Sequence, residues 1–259
     1  MSSAMREALR EAPKGEIWKW AQEKVYLDSK FTPRPGYWDP KKTPWSIRMM
    51  EAKRDSSIRE VSVMKSSRTG FTEGSLNVIR WMADQKPGPV LFAISSEKKA
   101  KKVMRRLLGT LEEIVPHAFT GDRDDVTKVL VALKEMEILF AGTGSADAFM
   151  EGWYEFIVND EVEEHDEDHE ETTMDRSEGR LVGVDDGMMA NISKPQLAEG
   201  PIHARYLVGS QEKFHLPCPR CGYWQELEWE FMKFGHCKDA FGNYDLEAVA
   251  RDAFYECRN

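Results

Sequence analysis

At 259 residues, 41% hydrophobic and 31% charged, the chain has the balance of an ordinary folded core and room for one large domain plus a small module. Its apolar runs are too short for a membrane span, and the opening MSSAMREALREAPKG lacks the apolar segment of a secretory leader, so the protein is expected to stay in the cell that makes it. A net charge of −9 speaks against a protein that coats nucleic acid but permits local basic patches, and four cysteines in such a chain read as thiols or metal ligands.

Residues 4–27 carry apolar positions at helical spacing, one or two short helices. Residues 31–45, FTPRPGYWDPKKTPW, are dense in proline and aromatics and read as an ordered, irregular segment. WSIRMMEAKRD reads as a helix. REVSVMKSS follows as a strand, and TEGSLNVIRWMADQ as an amphipathic helix. GPVLFAISS is an apolar strand, EKKAKKVMRRLLGTLEEIV a periodic helix with a basic face, and KVLVALKEMEILFAGT two short strands or a hairpin. YEFIVNDEVEE is a buried strand ending in acids, and another strand is expected near Met188–Ser193. Apolar strands alternating with helices predict an α/β fold, a mostly parallel sheet with helices on both faces. The core is expected over residues 51–210, after a lead segment 1–50. From residue 211 to 259 the chain is aromatic-rich and holds all four cysteines, a separate small module.

Two segments carry chemistry. Between the strand and helix lies Lys65-Ser66-Ser67-Arg68-Thr69-Gly70-Phe71-Thr72, a frame close to the phosphate loop G-x-x-x-x-G-K-[ST] but with lysine in the first glycine's place and phenylalanine in the lysine's. Gly70 supplies the turn, the next amides open a helix towards phosphate, and Thr72 is placed to put a hydroxyl on Mg²⁺. Lys65 and Arg68 are the candidate phosphate cations. The second segment is the apolar strand ending in Asp160 and Glu161. The first acid suits an Mg²⁺ shell, and the second suits orientation or deprotonation of the attacking water. Both segments sit at the C-terminal ends of strands, where open α/β sheets bind ligands. Ser193 follows a third strand at the same edge. Alone, each segment is equally a solvated turn; together they predict a nucleoside triphosphate site.

In this order the segments resemble the large terminase subunit of tailed bacteriophages, in the lambda-like group. MKSSRTGFT is similar to that group's deviant Walker A, VNDEVEEHD to its Walker B with catalytic glutamate, and ISKPQLAEG onward to its coupling motif and Cys-Pro-x-Cys-Gly element. The resemblance runs from about residue 30 to the end. It implies an additional-strand, RecA-like P-loop ATPase that drives double-stranded DNA into a procapsid in the host cytoplasm. It further implies a ring of subunits on the portal protein, alongside a small terminase subunit. Lys65, Ser66, Ser67, Arg68, Thr69, Gly70, Phe71, Thr72 and Asp160 would contact ATP, with Mg²⁺ on Thr72 and Asp160. Glu161 would activate water, Arg68 would meet the γ-phosphate in cis or in trans, and Ser193 would couple its state to movement. The family's nuclease domain is expected to be absent here. Trp45 or Tyr37 would stack on adenine, although TPW reads equally as a structural turn.

Cys218 and Cys221 form half a zinc knuckle, and Cys257 opens a second half whose partner would fall at the next position past Asn259. His215, His236 and Cys237 are the alternative fourth ligands, and buried reduced thiols are the plain reading. The run Lys98, Lys99, Lys101, Lys102, Arg105 and Arg106 is a solvated helix face or, in a DNA motor, a track for phosphates. His165 and His169 share a helical spacing but lack a matching third ligand. Two competing functions remain: a helicase-like P-loop ATPase, and a zinc-containing adaptor with an inactive nucleotide site.

Overall fold

The computed structural model describes residues 15–122, 125–144, 149, 152–165 and 171–259. By contacts, the chain divides into two compact units, one ending at Gly209 and one from Ser210 to Asn259.

The first unit opens with helix α1 (Ile17–Lys24), then a two-stranded ribbon of β1 (Tyr26–Leu27) and β2 (Gly36–Tyr37). That ribbon corrects two expectations: the helix stops before Tyr26, and the proline-rich segment contains a strand. Next come α2 (Ser46–Ala52), β3 (Glu60–Met64), α3 (Phe71–Gln85), β4 (Val90–Ile94) and α4 (Glu97–Ile114). A hairpin of β5 (Leu130–Ala132) and β6 (Glu137–Gly142) follows, then β7 (Phe156–Asp160), α5 (Thr173–Gly179), β8 (Met188–Ser193) and α6 (Pro201–Val208).

Six strands form one sheet in the order β3-β8-β7-β4-β6-β5, parallel except for β5. The strand β8 lies between β3, which leads into the glycine loop, and β7, which ends in the acids. This is the additional-strand arrangement. Strands β4, β7 and β8 are buried at every position, as expected of parallel strands covered on both faces. Their side chains alternate between two cores. Phe92, Phe156, Val158 and Ile192 join α1 to α4 on one side, and Leu91, Ile157 and Met189 pack with Tyr154 and Leu181 on the other.

Register decides where the chemistry sits. Met64 pairs with Ser193, Ile192 with Asp160, and Asp160 with Ile94. Strands β3, β8, β7 and β4 therefore end level, and the segments that follow them share one end of the sheet. Helix α4 starts there because Ser96 caps it, accepting from the Lys99 amide. Its buried stripe Ala100, Met104, Leu107 and Leu111 fixes its face on the sheet.

The second unit holds two antiparallel ribbons, β9 (His215–Pro217) with β10 (Trp224–Glu226) and β11 (Met232–Lys233) with β12 (Phe254–Tyr255). Helix α7 (Leu246–Asp252) precedes β12. No described helix is long and apolar enough to cross a membrane.

Candidate nucleotide site

The loop after β3 is held from three directions. The Lys65 amide donates to the Ser193 carbonyl at 2.9 Å, extending the β3–β8 pairing by one residue. The Trp45 indole donates to the Thr69 carbonyl at 2.7 Å. The Thr69 hydroxyl donates to the Ser66 carbonyl at 3.0 Å. Trp45, half-buried, thus ties the loop to the TPW segment. Tyr37 is exposed and edge-on to Tyr26 at 5.5 Å.

Gly70 has φ 86°, and a Cβ there would lie 2.6 Å from Thr43 Cγ2, so only glycine fits. It precedes α3, whose first residue is Phe71. The Phe71 ring is 8% exposed and belongs to the main core. Any contact it offers a nucleotide is through its backbone, and truncating it to alanine costs stability, about 3–5 kcal/mol for a buried phenylalanine. Ser66, Ser67 and Arg68 are exposed and Lys65 is half-buried.

Loop and acids meet through one short contact. The Thr72 hydroxyl donates to Asp160 Oδ2 at 2.6 Å, across 88 residues of sequence. Asp160 is 1% exposed. Burial pushes its carboxyl above the usual range, against the opposing pull of Thr72 and Lys65. Glu161 follows with a left-handed backbone, φ 58°. Arg68 is left-handed as well, φ 61°. Such conformations are uncommon outside glycine and gather at functional sites.

The turn behind the acids is fixed by its own bonds. His165 Nε2 donates to the Asp160 carbonyl at 2.8 Å, and burial holds its imidazole down to about 4. The unfolded chain takes up a proton below the ordinary value of 6.5 that folded His165 refuses. Stability therefore falls as pH drops from that value towards the folded one, by about 2 kcal/mol between about pH 7 and about pH 5. Urea unfolding of wild type and His165→Gln at the two pH values measures it: the variant should lose less. His169 lies outside the described residues.

Ser193 is buried, and its hydroxyl accepts from the Glu163 amide at 3.0 Å. Glu163 also accepts, through Oε1, from the Ile202 amide at the start of α6 at 3.2 Å. A Cβ on Gly200 would sit 2.5 Å from that carboxylate, so the glycine makes the approach possible. The acidic turn, the end of β8 and α6 thus form one bonded group.

The model of the family described as "Phage terminase large subunit gpA, ATPase domain" matches residues 32–259. The chain belongs to this family. The terminase large subunit of Enterobacteria phage P21 is 22% identical over 93% of the chain and 38% of its own length. That of Escherichia phage lambda is 22% identical over 99% of the chain and 41% of its own length. The chain therefore spans about two-fifths of these curated relatives. Among solved structures, the Thermus phage P74-26 large terminase ATPase domain has a TM-score of 0.51 at 17% identity, covering 78% of this chain and 83% of that one. The HK97 bacteriophage large terminase has a TM-score of 0.55 at 11% identity, covering 74% and 40%. At these identities the likeness is one of fold.

The terminase domain also uses residues that sequence reading left on the surface. Lys99 Nζ binds Glu161 Oε2 at 2.5 Å, Glu164 Oε2 at 2.5 Å and the Ser95 hydroxyl at 3.0 Å. Burial draws its ammonium downward, but the two carboxylates outweigh it and the net shift is up. Arg106 pairs with Glu73, beside Thr72 in α3, and Arg80 donates to the same carboxylate at 2.6 Å. These two arginines keep the buried Glu73 ionised against the cost of its burial. Two of the six basic residues of α4 are therefore internal ties of the site.

In the second unit the thiols of Cys218, Cys221 and Cys257 lie within 4.8 Å of one another. Cys221 and Cys257 are 3.7 Å apart, close to the ~3.8 Å that two sulfurs keep on one tetrahedral zinc. Amides of Cys221 and Arg220 donate to Cys218 and hold its thiol down to about 7. Among the described residues no fourth ligand joins them. His215 and His236 face the carbonyls of Lys213 and Asp252, and Cys237 is buried apart from the cluster.

Proposed function

We propose that this domain hydrolyses ATP with Mg²⁺ and that, within a whole terminase large subunit, the hydrolysis drives double-stranded DNA into a procapsid. The observation that carries it is the 2.6 Å contact of Thr72 with Asp160, beside Glu161 and the glycine loop. A hydroxyl and a buried carboxylate are the hard oxygen donors that suit Mg²⁺. Bound there with ATP, the ion would supply charge neutralisation at the phosphates. Lys65 holds the phosphate chain in the place that other loops give to a later lysine. Glu161 accepts the proton of the attacking water. Arg68, on an exposed left-handed turn, meets the γ-phosphate from its own subunit or faces a neighbour's. Ser193, tied to Glu163, passes the state of the acidic turn to α6. The ring, the portal and the small subunit are the partners this reading requires. Steady-state ATP turnover by the purified chain tests it: turnover that stops on chelation of Mg²⁺ supports the reading, and none at millimolar Mg·ATP favours an inactive adaptor.

Lys99 positions the base. Lys99→Met unties Glu161 and Glu164, and turnover should fall about 10–100-fold through misplacement, with nucleotide affinity little changed. A higher KM at unchanged kcat would instead make Lys99 a binding residue.

We further propose that the thiols of Cys218, Cys221 and Cys257 hold structural Zn²⁺. Metal analysis should find about one zinc per chain, lost with Cys221→Ser, and chelation should lower the unfolding temperature of the second unit. A metal-free chain of equal stability would remove zinc from the account.

A further inference from the structure

We infer that the outer face of α4, together with Lys128, is a docking groove for the phosphodiester backbone of duplex nucleic acid. Of the basic run on this helix, Lys99 and Arg106 are consumed by Glu161, Glu164 and Glu73, and Lys101 pairs with Glu97 one turn back. Lys98, Lys102 and Arg105 remain exposed. They stand at i, i+4 and i+7, one stripe about 10.5 Å long. Four successive phosphates of one duplex strand, at about 3.4 Å each, advance about 10 Å along the axis, so the three cations can meet phosphates within that span. Beside the stripe an open groove is lined by Lys101, Met104, Arg105 and Lys128, with Val126 and Val129. Cations on its walls suit phosphates, and its apolar members suit deoxyribose faces. Among the described residues no aromatic side chain lines it, whereas surfaces for single strands add aromatic platforms for unpaired bases. The charge is local, since the whole chain carries −9, so binding depends on this one face.

The inference rests on the packaging reading and deepens it by naming where the polymer is held, but its test contains no ATP, so its failure and that of the ATPase reading are separate outcomes. A fluorescent duplex of about 20 base pairs is titrated with the full chain across a range of salt. The logarithm of the binding constant should fall with the logarithm of salt at about −0.9 per neutralised phosphate. The triple variant Lys98→Ala/Lys102→Ala/Arg105→Ala should make that slope shallower by about 3, and Lys128→Ala by about 1. The exposed Lys24 on α1 is the single-charge control for Lys128→Ala: Lys24→Ala should keep the wild-type slope. Thermal unfolding checks that each variant is folded. A triple variant with the wild-type slope would overturn the inference. So would equal losses in the Lys24 control, or a single strand of the same length that binds as tightly as the duplex.

Discussion

Glu161→Gln is expected to lower ATP turnover about 10²–10⁴-fold, the range for losing a positioned general base, while Mg·nucleotide binding survives. The substitution is nearly isosteric. Its side-chain carbonyl can still accept from Lys99, which holds Glu161 Oε2 at 2.5 Å. The neighbouring Asp160 keeps its bonds to Thr72 and to the residue-161 amide. What disappears is the ability to take a proton. Turnover within about threefold of wild type would mean that another group activates water, and the assignment of Glu161 would fall.

Lys65→Ala is the second large effect, about 10²–10³-fold in turnover, as for removal of one preorganised charge at a transition state. The variant is clean because the backbone bond from residue 65 to Ser193 does not need the side chain. The position where other phosphate loops carry lysine holds Phe71, and its ring is committed to the core. A cation placed there would be buried without a partner. Lys65→Arg should recover part of the activity. If Lys65→Ala turns over ATP like wild type, Arg68 is the phosphate cation and the reading of this loop changes.

Most of what the sequence made legible was local. The order strand, glycine loop, helix is contiguous in the chain, and so is the strand that ends in Asp160 and Glu161. Parallel strands buried on both faces announce themselves as apolar runs, which is why β4, β7 and β8 were foreseeable. The short helices α5 and α6 were missed because each buries a single apolar side chain, Met174 or Ile202, and so shows no apolar stripe. The pairing of Lys99 with Glu161 spans 62 residues, and no periodicity marks it. A helix with a basic face looks solvated until the sheet register brings its first turn to the acids. The buried Glu73, Arg80 and Arg106 cluster was hidden for the same reason. Cys257 was legible as a thiol past a knuckle, but its 3.7 Å approach to Cys221 depends on the β11–β12 ribbon. Phe71 is a further case. The contact expected of it is through its backbone amide, and what the sequence did not mark is that its side chain packs in the main core at the start of α3.

The most direct measurement is a crystal structure of the chain with Mg²⁺ and a non-hydrolysable ATP analogue. The account predicts Mg²⁺ on the Thr72 hydroxyl beside Asp160, with the γ-phosphate between Lys65 and Glu161. A nucleotide bound elsewhere, or a loop left empty at saturating analogue, would contradict it.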